Sequence, residues 1–196
     1  MHIKIGLFLL LTSLTNLVNA QNITYQLQNP KDGSSNTVSI SKTGDDIQIN
    51  ILARWNDQAE TYGQFNGKGK LKDGQAVISS DSNTCKVKLN FTETNLQIEF
   101  MNCEANRIPE QFSGTYTKIA DQVTGDYQVS ANISYYFSKP DPQSRKKGFL
   151  KAGDQWQIEE VFPGNWAFAT FRSGDKTLFG YIRLQDLRFV RTYLFD

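Results

Sequence analysis

The chain has almost no histidine. Its single one, His2, stands at the extreme start, so a mature chain trimmed after Ala20 has none. That excludes Ser-His-Asp and Cys-His catalysis, imidazole general bases and the commonest protein metal ligand. Cysteine is nearly as scarce, with only Cys85 and Cys103 present. Two thiols without histidine do not complete a four-ligand metal site, so neither metal nor cofactor is expected. No one sign of charge dominates either, with 21 Lys and Arg against 20 Asp and Glu. Lys4 is the only basic residue before Ala20, which leaves 20 of each sign beyond it. A balanced chain lacks the electrostatic field that nucleic acid or an anionic membrane selects, so neither partner is expected. Past residue 18 there are no long apolar runs, so the mature form is not expected to insert in a membrane.

The apolar run that does exist lies at the start. Lys4 precedes Ile5 to Leu11, and Leu14, Leu17 and Val18 lead to Asn19 and Ala20. A short charged start, an apolar middle and a small-residue exit describe a secretory signal peptide over residues 1–20, cleaved after Ala20. The pure apolar run falls short of the roughly 20 residues a spanning helix needs. The mature protein is therefore expected to be periplasmic or secreted. In that setting an isolated cysteine pair reads as a disulfide, worth on the order of 3 kcal/mol for a loop of this size.

Helical periodicity is nearly absent, and short alternating strands punctuated by Asn, Asp, Gly and Ser take its place. Ile47, Ile49, Ile51, Ala53 and Trp55 alternate with polar neighbours. So do Cys85, Val87, Leu89 and Phe91, and then Leu96, Ile98 and Phe100. A tight turn at residues 92–95 makes the last two runs a hairpin. Its register sets Phe91 opposite Leu96, Leu89 opposite Ile98 and Val87 opposite Phe100. Cys85 then meets Asn102, one residue short of Cys103. A single bulge closes that gap and lets the disulfide staple the open end of the hairpin. Further strands are expected at residues 23–28, 37–41, 62–71, 76–79 and 112–118. Gly63, Gly67 and Gly69 interrupt the 62–71 run and predict a bent or bulged strand. No Lys-Ser/Thr follows them, which removes the phosphate-loop reading.

Catalytic groups are hard to find. Asp45-Asp46 and Glu159-Glu160 are adjacent pairs whose side chains would point to opposite faces of a strand, so solvated surface is the expectation for both. No Ser-x-x-Lys motif replaces the missing histidine. An enzyme is not expected. Arg145-Lys146-Lys147 is the one basic run, and a solvated loop is its default reading.

The last third is rich in aromatics, more than one small barrel can bury. The surplus must seal a seam with the first domain or stand exposed, where Tyr and Trp platforms take peptide or sugar. Within residues 131–187 the order of motifs resembles the bacterial SH3-like family. Tyr136-Phe137-Ser138-Lys139-Pro140 is similar to an opening strand running into an RT-type loop. Phe149 to Asp154 is similar to the Gly-Asp turn before the second strand. Pro163-Gly164-Asn165-Trp166 resembles the turn and Trp that open the third, and Gly180-Tyr181-Ile182 the closing Gly-aromatic-aliphatic element. Ala169 departs from the larger aliphatic usual at its position. The resemblance implies an SH3-like barrel at residues 128–196. It also implies a ligand groove near Tyr136, Asp141, Trp166 and Tyr181 and a cell-wall peptide as ligand. Residues 21–120, with Cys85, Cys103 and Phe112-Ser113-Gly114-Thr115-Tyr116, are similar to exported domains found beside lysozyme-inhibitor modules.

The expectation is an all-β exported protein: a small disulfide-stapled β-sandwich or barrel at 21–120, followed by an SH3-like barrel. Its expected role is non-catalytic binding at the bacterial envelope, to peptidoglycan or to a peptidoglycan-acting protein. Two alternatives stand beside it. One is an inhibitor or immunity protein that neutralises a secreted cell-wall hydrolase. The other is a cryptic muropeptide hydrolase.

Overall fold

A computed structural model describes residues 20–27, 33–55, 61–80, 84–174 and 176–192. The leader expected over residues 1–20 lies outside these except for Ala20. The chain is all-β, in two successive sheets.

The first sheet is a closed antiparallel barrel in which each strand pairs with the next and the last returns to the first. Its strands are β1 (Ala20–Leu27), β2 (Ser35–Thr43), β3 (Asp46–Arg54), β4 (Tyr62–Lys70), β5 (Gln75–Ser79), β6 (Lys86–Phe91), β7 (Asn95–Met101) and β8 (Gly114–Ala120). Alternation sorts the side chains. In β3, Ile47, Ile49, Ile51 and Ala53 turn inward and are wholly or almost wholly buried. They meet Phe65, Ile78, Val87, Leu89, Leu96, Ile98, Phe100 and Tyr116 in one packed interior. An eight-stranded barrel is just wide enough for side chains to fill it.

The β6–β7 hairpin has the register its alternation demands. Phe91 pairs with Leu96, Leu89 with Ile98 and Val87 with Phe100, and pairing ends at Lys86 with Met101. Asn102 then takes a left-handed φ of 57°, absorbing the one-residue offset. Cys85 and Cys103 come to a Cα separation of 4.4 Å and are bonded. The Thr92 hydroxyl and amide N–H both donate to the Asn95 carbonyl at the other end.

The bulge expected in β4 is absent from its ladder with β3. Asp46 to Arg54 pair with Lys70 to Tyr62 through nine consecutive positions with no register shift. The glycines serve the interior instead. A Cβ on Gly67 would lie 2.4 Å from Ile78 Cγ2, and one on Gly63 would lie 2.2 Å from the Arg107 carbonyl oxygen. They make room for inward neighbours across a regular strand.

The second sheet contains β9 (Gly125–Val129), β10 (Ile133–Phe137), β11 (Arg145–Lys151), β12 (Gln155–Phe162), β13 (Trp166–Ser173), β14 (Lys176–Arg183) and β15 (Leu187–Arg191). Its order is β11-β10-β14-β13-β12-β9-β15, and a single 3-10 turn at Leu184–Asp186 precedes the last strand. Tyr127, Trp156, Ile158, Val161, Ala167, Ala169, Ile182 and Leu184 form its core. The basic run is not a loop. Arg145, Lys146 and Lys147 open the edge strand β11, where cationic side chains discourage pairing with another chain.

A polar seam joins the two sheets through residues 121–124. The Thr124 N–H donates to Ser39 Oγ at 3.3 Å, and Ser39 and Thr24 share a hydrogen bond of 2.9 Å. Thr24 donates to the Gln122 carbonyl at 2.6 Å, and Asn50 Nδ2 donates to Thr124 Oγ1 at 2.9 Å. Burying Ser39 and Thr24, which point out of the barrel, is tolerable only because each is hydrogen-bonded here. The disulfide accords with an oxidising compartment. Among the described residues no helix is long and apolar enough to cross a membrane, which says nothing of strands.

Candidate functional site

The second sheet has two faces and only one is occupied by its core. Ala167 and Ala169 of β13 and Ile182 of β14 point into the core, so their neighbours point away. The cross-strand register sets Trp166 opposite Arg183, Phe168 opposite Tyr181 and Thr170 opposite Phe179 on that outer face. Phe137 of β10 pairs with Tyr181, and Phe162 of β12 pairs with Trp166. The rings interlock. Phe162 and Phe168 each lie 5.4 Å from the Tyr181 ring, and Phe137 stands edge-on to Trp166 at 4.9 Å. The Arg183 guanidinium covers Trp166 at 3.8 Å from the ring centroid. At the edge, Tyr135 meets Phe149 at 6.2 Å and carries Arg145 at 4.5 Å. The outer face is thus a sheet of aromatic rings spaced by cations, an arrangement of mutually favourable quadrupoles and cation–π contacts.

Where this face meets the barrel it deepens into a cleft of about 410 Å³. Phe162, Phe168 and Tyr181 line one side, and Arg54 and Trp55, at and just past the end of β3, line the other. Glu160 closes the bottom, and Arg54 Nε donates to its Oε2 at 2.7 Å. The two partners are unequally covered: the Glu160 side chain is 4% exposed and that of Arg54 is 45% exposed. Burial raises the Glu160 carboxyl above the usual carboxylate range, the adjacent Arg54 charge and hydrogen bond oppose it, and Glu159 adds to it.

Glu160 corrects the expectation of a solvated Glu159-Glu160 pair. The β12 ladder slips register between Ile158 and Glu160. A bulge defeats simple alternation and sets both acids on the outer face. Glu159 accepts the Thr170 hydroxyl, while Glu160 is sealed under Arg54. Asp45 and Asp46 stay exposed at the β2–β3 turn, with Asp46 paired to Lys70.

The four groove residues named from the sequence do not converge. Tyr181 lines the cleft, half-buried between two phenylalanines. Trp166 lies on the same face but is buried, 5% exposed, beneath Arg183. Tyr136 points to the opposite, core side, with its ring 6.3 Å from Trp156 and Lys146 Nζ 5.6 Å from its centroid. Asp141 is exposed and accepts the Gln143 N–H, capping the turn at Pro142–Ser144. Phe162, Phe168, Trp55, Arg54 and Glu160 are the additions. The break between Ile158 and Val161, three residues apart where two is the rule, was the one sequence signal of the bulge.

A second depression, about 460 Å³, lies on the outer face of β2, β3 and β4 between Lys68, Lys70, Asp46 and Gln48 and carries no aromatic ring. No group of three or more His, Cys, Asp or Glu residues suited to a metal occurs among the described residues. No protein family model, curated protein or solved structure matches this chain.

Proposed function

We propose that this protein is an exported, non-catalytic binding protein of the bacterial envelope that holds peptidoglycan on the outer face of its second sheet. The observation that carries the reading is the aromatic face itself. Phe162, Phe168 and Tyr181 are interlocked rings left half-buried on a soluble-facing surface, beside a cleft deep enough for a small ligand. Rigid rings of this kind lose little entropy on binding and offer area to both sugar faces and aliphatic side chains.

Two further observations support it. The turn at Gly153 and Asp154 leads into β12, the turn before Trp166 leads into β13, and Gly180 lies in β14 with its Cα side against the Phe137 carbonyl. That succession supports the SH3-like reading of residues 128–196. The acid of the cleft and its chain neighbour are also both engaged, Glu160 by Arg54 and Glu159 by Thr170. A general acid or base must come within hydrogen-bond reach of the group it serves, and the Glu160 carboxyl is 4% exposed and held under Arg54. This supports binding over hydrolysis.

The test is retention on purified cell-wall sacculi at physiological salt. The protein is expected to sediment with sacculi, and Phe168→Ala with Tyr181→Ala is expected to weaken retention about tenfold or more while the fold persists. These half-exposed rings are better probes than buried Trp166. Absence of retention at physiological salt sinks the peptidoglycan reading. A stoichiometric complex with a cell-wall hydrolase and loss of its activity would instead support the inhibitor alternative.

A further inference from the structure

The cleft beside the aromatic face has an electrostatic polarity that the face lacks. Among the described residues that line it, the one carboxylate, Glu160, is buried, while the one cation, Arg54, reaches solvent. Nε of Arg54 is committed to Glu160 at 2.7 Å. A guanidinium is planar with five donors, so fixing Nε orients the opposite edge, Nη1 and Nη2, as a pre-set fork. Among the described residues that edge meets no acceptor. It opens into the same cleft as the Phe162, Phe168 and Tyr181 rings.

A ligand entering here therefore meets apolar rings on one side and a two-pronged cation on the other. A fork of two parallel N–H groups matches the two oxygens of a carboxylate, and the local shielding by the cleft strengthens the contact. We propose that the cleft takes a short peptide by a free carboxylate, seated on the Nη1–Nη2 edge of Arg54, with an adjoining methyl or methylene group laid on the Phe162, Tyr181 and Phe168 rings. A volume of about 410 Å³ suits two or three small residues rather than a folded partner. In peptidoglycan the peptide stems end in carboxylates, and the sugar acid that carries each stem has its own carboxyl tied up in an amide. The cleft thus selects the stem, and the flat aromatic face beside it is left for the rest of the polymer. This inference rests on the peptidoglycan reading and narrows it to one chemical group.

The experiment compares two ligands on the full exported chain by titration calorimetry, with proton NMR of the Tyr181 ring and the Arg54 Nε–H as locator. One is a synthetic stem pentapeptide, L-Ala-D-Glu-L-Lys-D-Ala-D-Ala, with free carboxylates. The other is the same peptide with every carboxylate amidated. The acid is expected to bind about tenfold or more tightly than the amide, the effect of one charge-assisted bidentate contact, and to shift both reporter signals. The comparison needs no variant and so does not depend on how well an Arg54 substitution folds. Equal affinity of acid and amide overturns the inference and leaves sacculus retention standing. Failure of both peptides to bind while sacculi still retain the protein overturns it equally. Failure of peptides and sacculi together removes both the inference and the reading beneath it.

Discussion

Removing Arg54 should expose how unevenly the cleft's ion pair is buried. In Arg54→Ala the Glu160 carboxylate keeps its cover, since its side chain is 4% exposed, and loses the counter-charge that Arg54 supplies. Breaking a fully buried pair from one side costs about 3–5 kcal/mol. The guanidinium here is 45% exposed, so solvent already screens part of the interaction and the expected loss falls to about 2 kcal/mol at pH 7. The opposite change is cheaper. In Glu160→Gln the arginine turns outward to water and the amide retains the shape of the acid, for a loss of about 1 kcal/mol or less. Double substitution should recover at least half of the Arg54→Ala loss, because no charge then remains buried.

The pH dependence has a definite sign. Glu160 has a folded-state pKa raised above the ordinary value of about 4.3. Between those two values the folded chain holds more protons than the unfolded one, so stability falls as pH rises through the window. Arg54 opposes the shift, so its removal moves the upper edge of the window higher still. The Arg54→Ala loss should therefore be full at pH 7 and shrink as pH falls toward about 4.5. Urea unfolding at both pH values measures it. An Arg54→Ala protein within about 0.5 kcal/mol of the parent at pH 7, or one whose loss grows in acid, refutes the buried-carboxylate argument.

Two structural predictions follow from the barrel. Cys85→Ala with Cys103→Ala should lower stability by about 3 kcal/mol in urea under oxidising conditions. A loss below about 1 kcal/mol would show that the β6–β7 hairpin holds its ends together in the unfolded chain. Gly67→Ala should cost about 1–3 kcal/mol, because its new Cβ would fall 2.4 Å from Ile78 Cγ2. Ile78→Ala removes that obstacle, so the pair should be non-additive by about 1 kcal/mol or more, and strict additivity contradicts the assigned contact.

What could be read from the sequence was governed by how local the information was. The β6–β7 register was legible because hairpin pairing depends on one turn and one alternation, both written within residues 85–103. The choice between sandwich and barrel stayed open, since closure rests on Tyr25 to Leu27 meeting Lys118 to Tyr116 across most of the first domain. The glycines of β4 misled for a related reason: a missing side chain looks like a break until Ile78, the neighbour that fills its space, is known. The site suffered most. Tyr181 was legible as an aromatic beside a glycine. Arg54 was ordinary strand polarity, and its partner Glu160 lies 106 residues away, hidden in a doublet that strict alternation assigns to opposite faces.

The Arg54–Glu160 pair is costly as a device for stability alone. Replacing such a pair by apolar residues of similar volume is often neutral or stabilising, because desolvation of the carboxylate offsets most of the attraction. The seam does not need it for alignment either. The chain of hydrogen bonds from Thr124 through Ser39 and Thr24 to the Gln122 carbonyl already joins the two sheets near residues 121–124. The pair does one thing those bonds cannot. It brings a fixed, outward-facing cation to an aromatic wall, with the balancing charge held out of a ligand's reach. A lone arginine on the surface would present the same charge but not a fixed fork, and would lose more side-chain entropy on engaging an anion. The burial of Glu160 therefore makes physical sense as preorganisation: the energetic cost lies in the folded protein, before any ligand arrives.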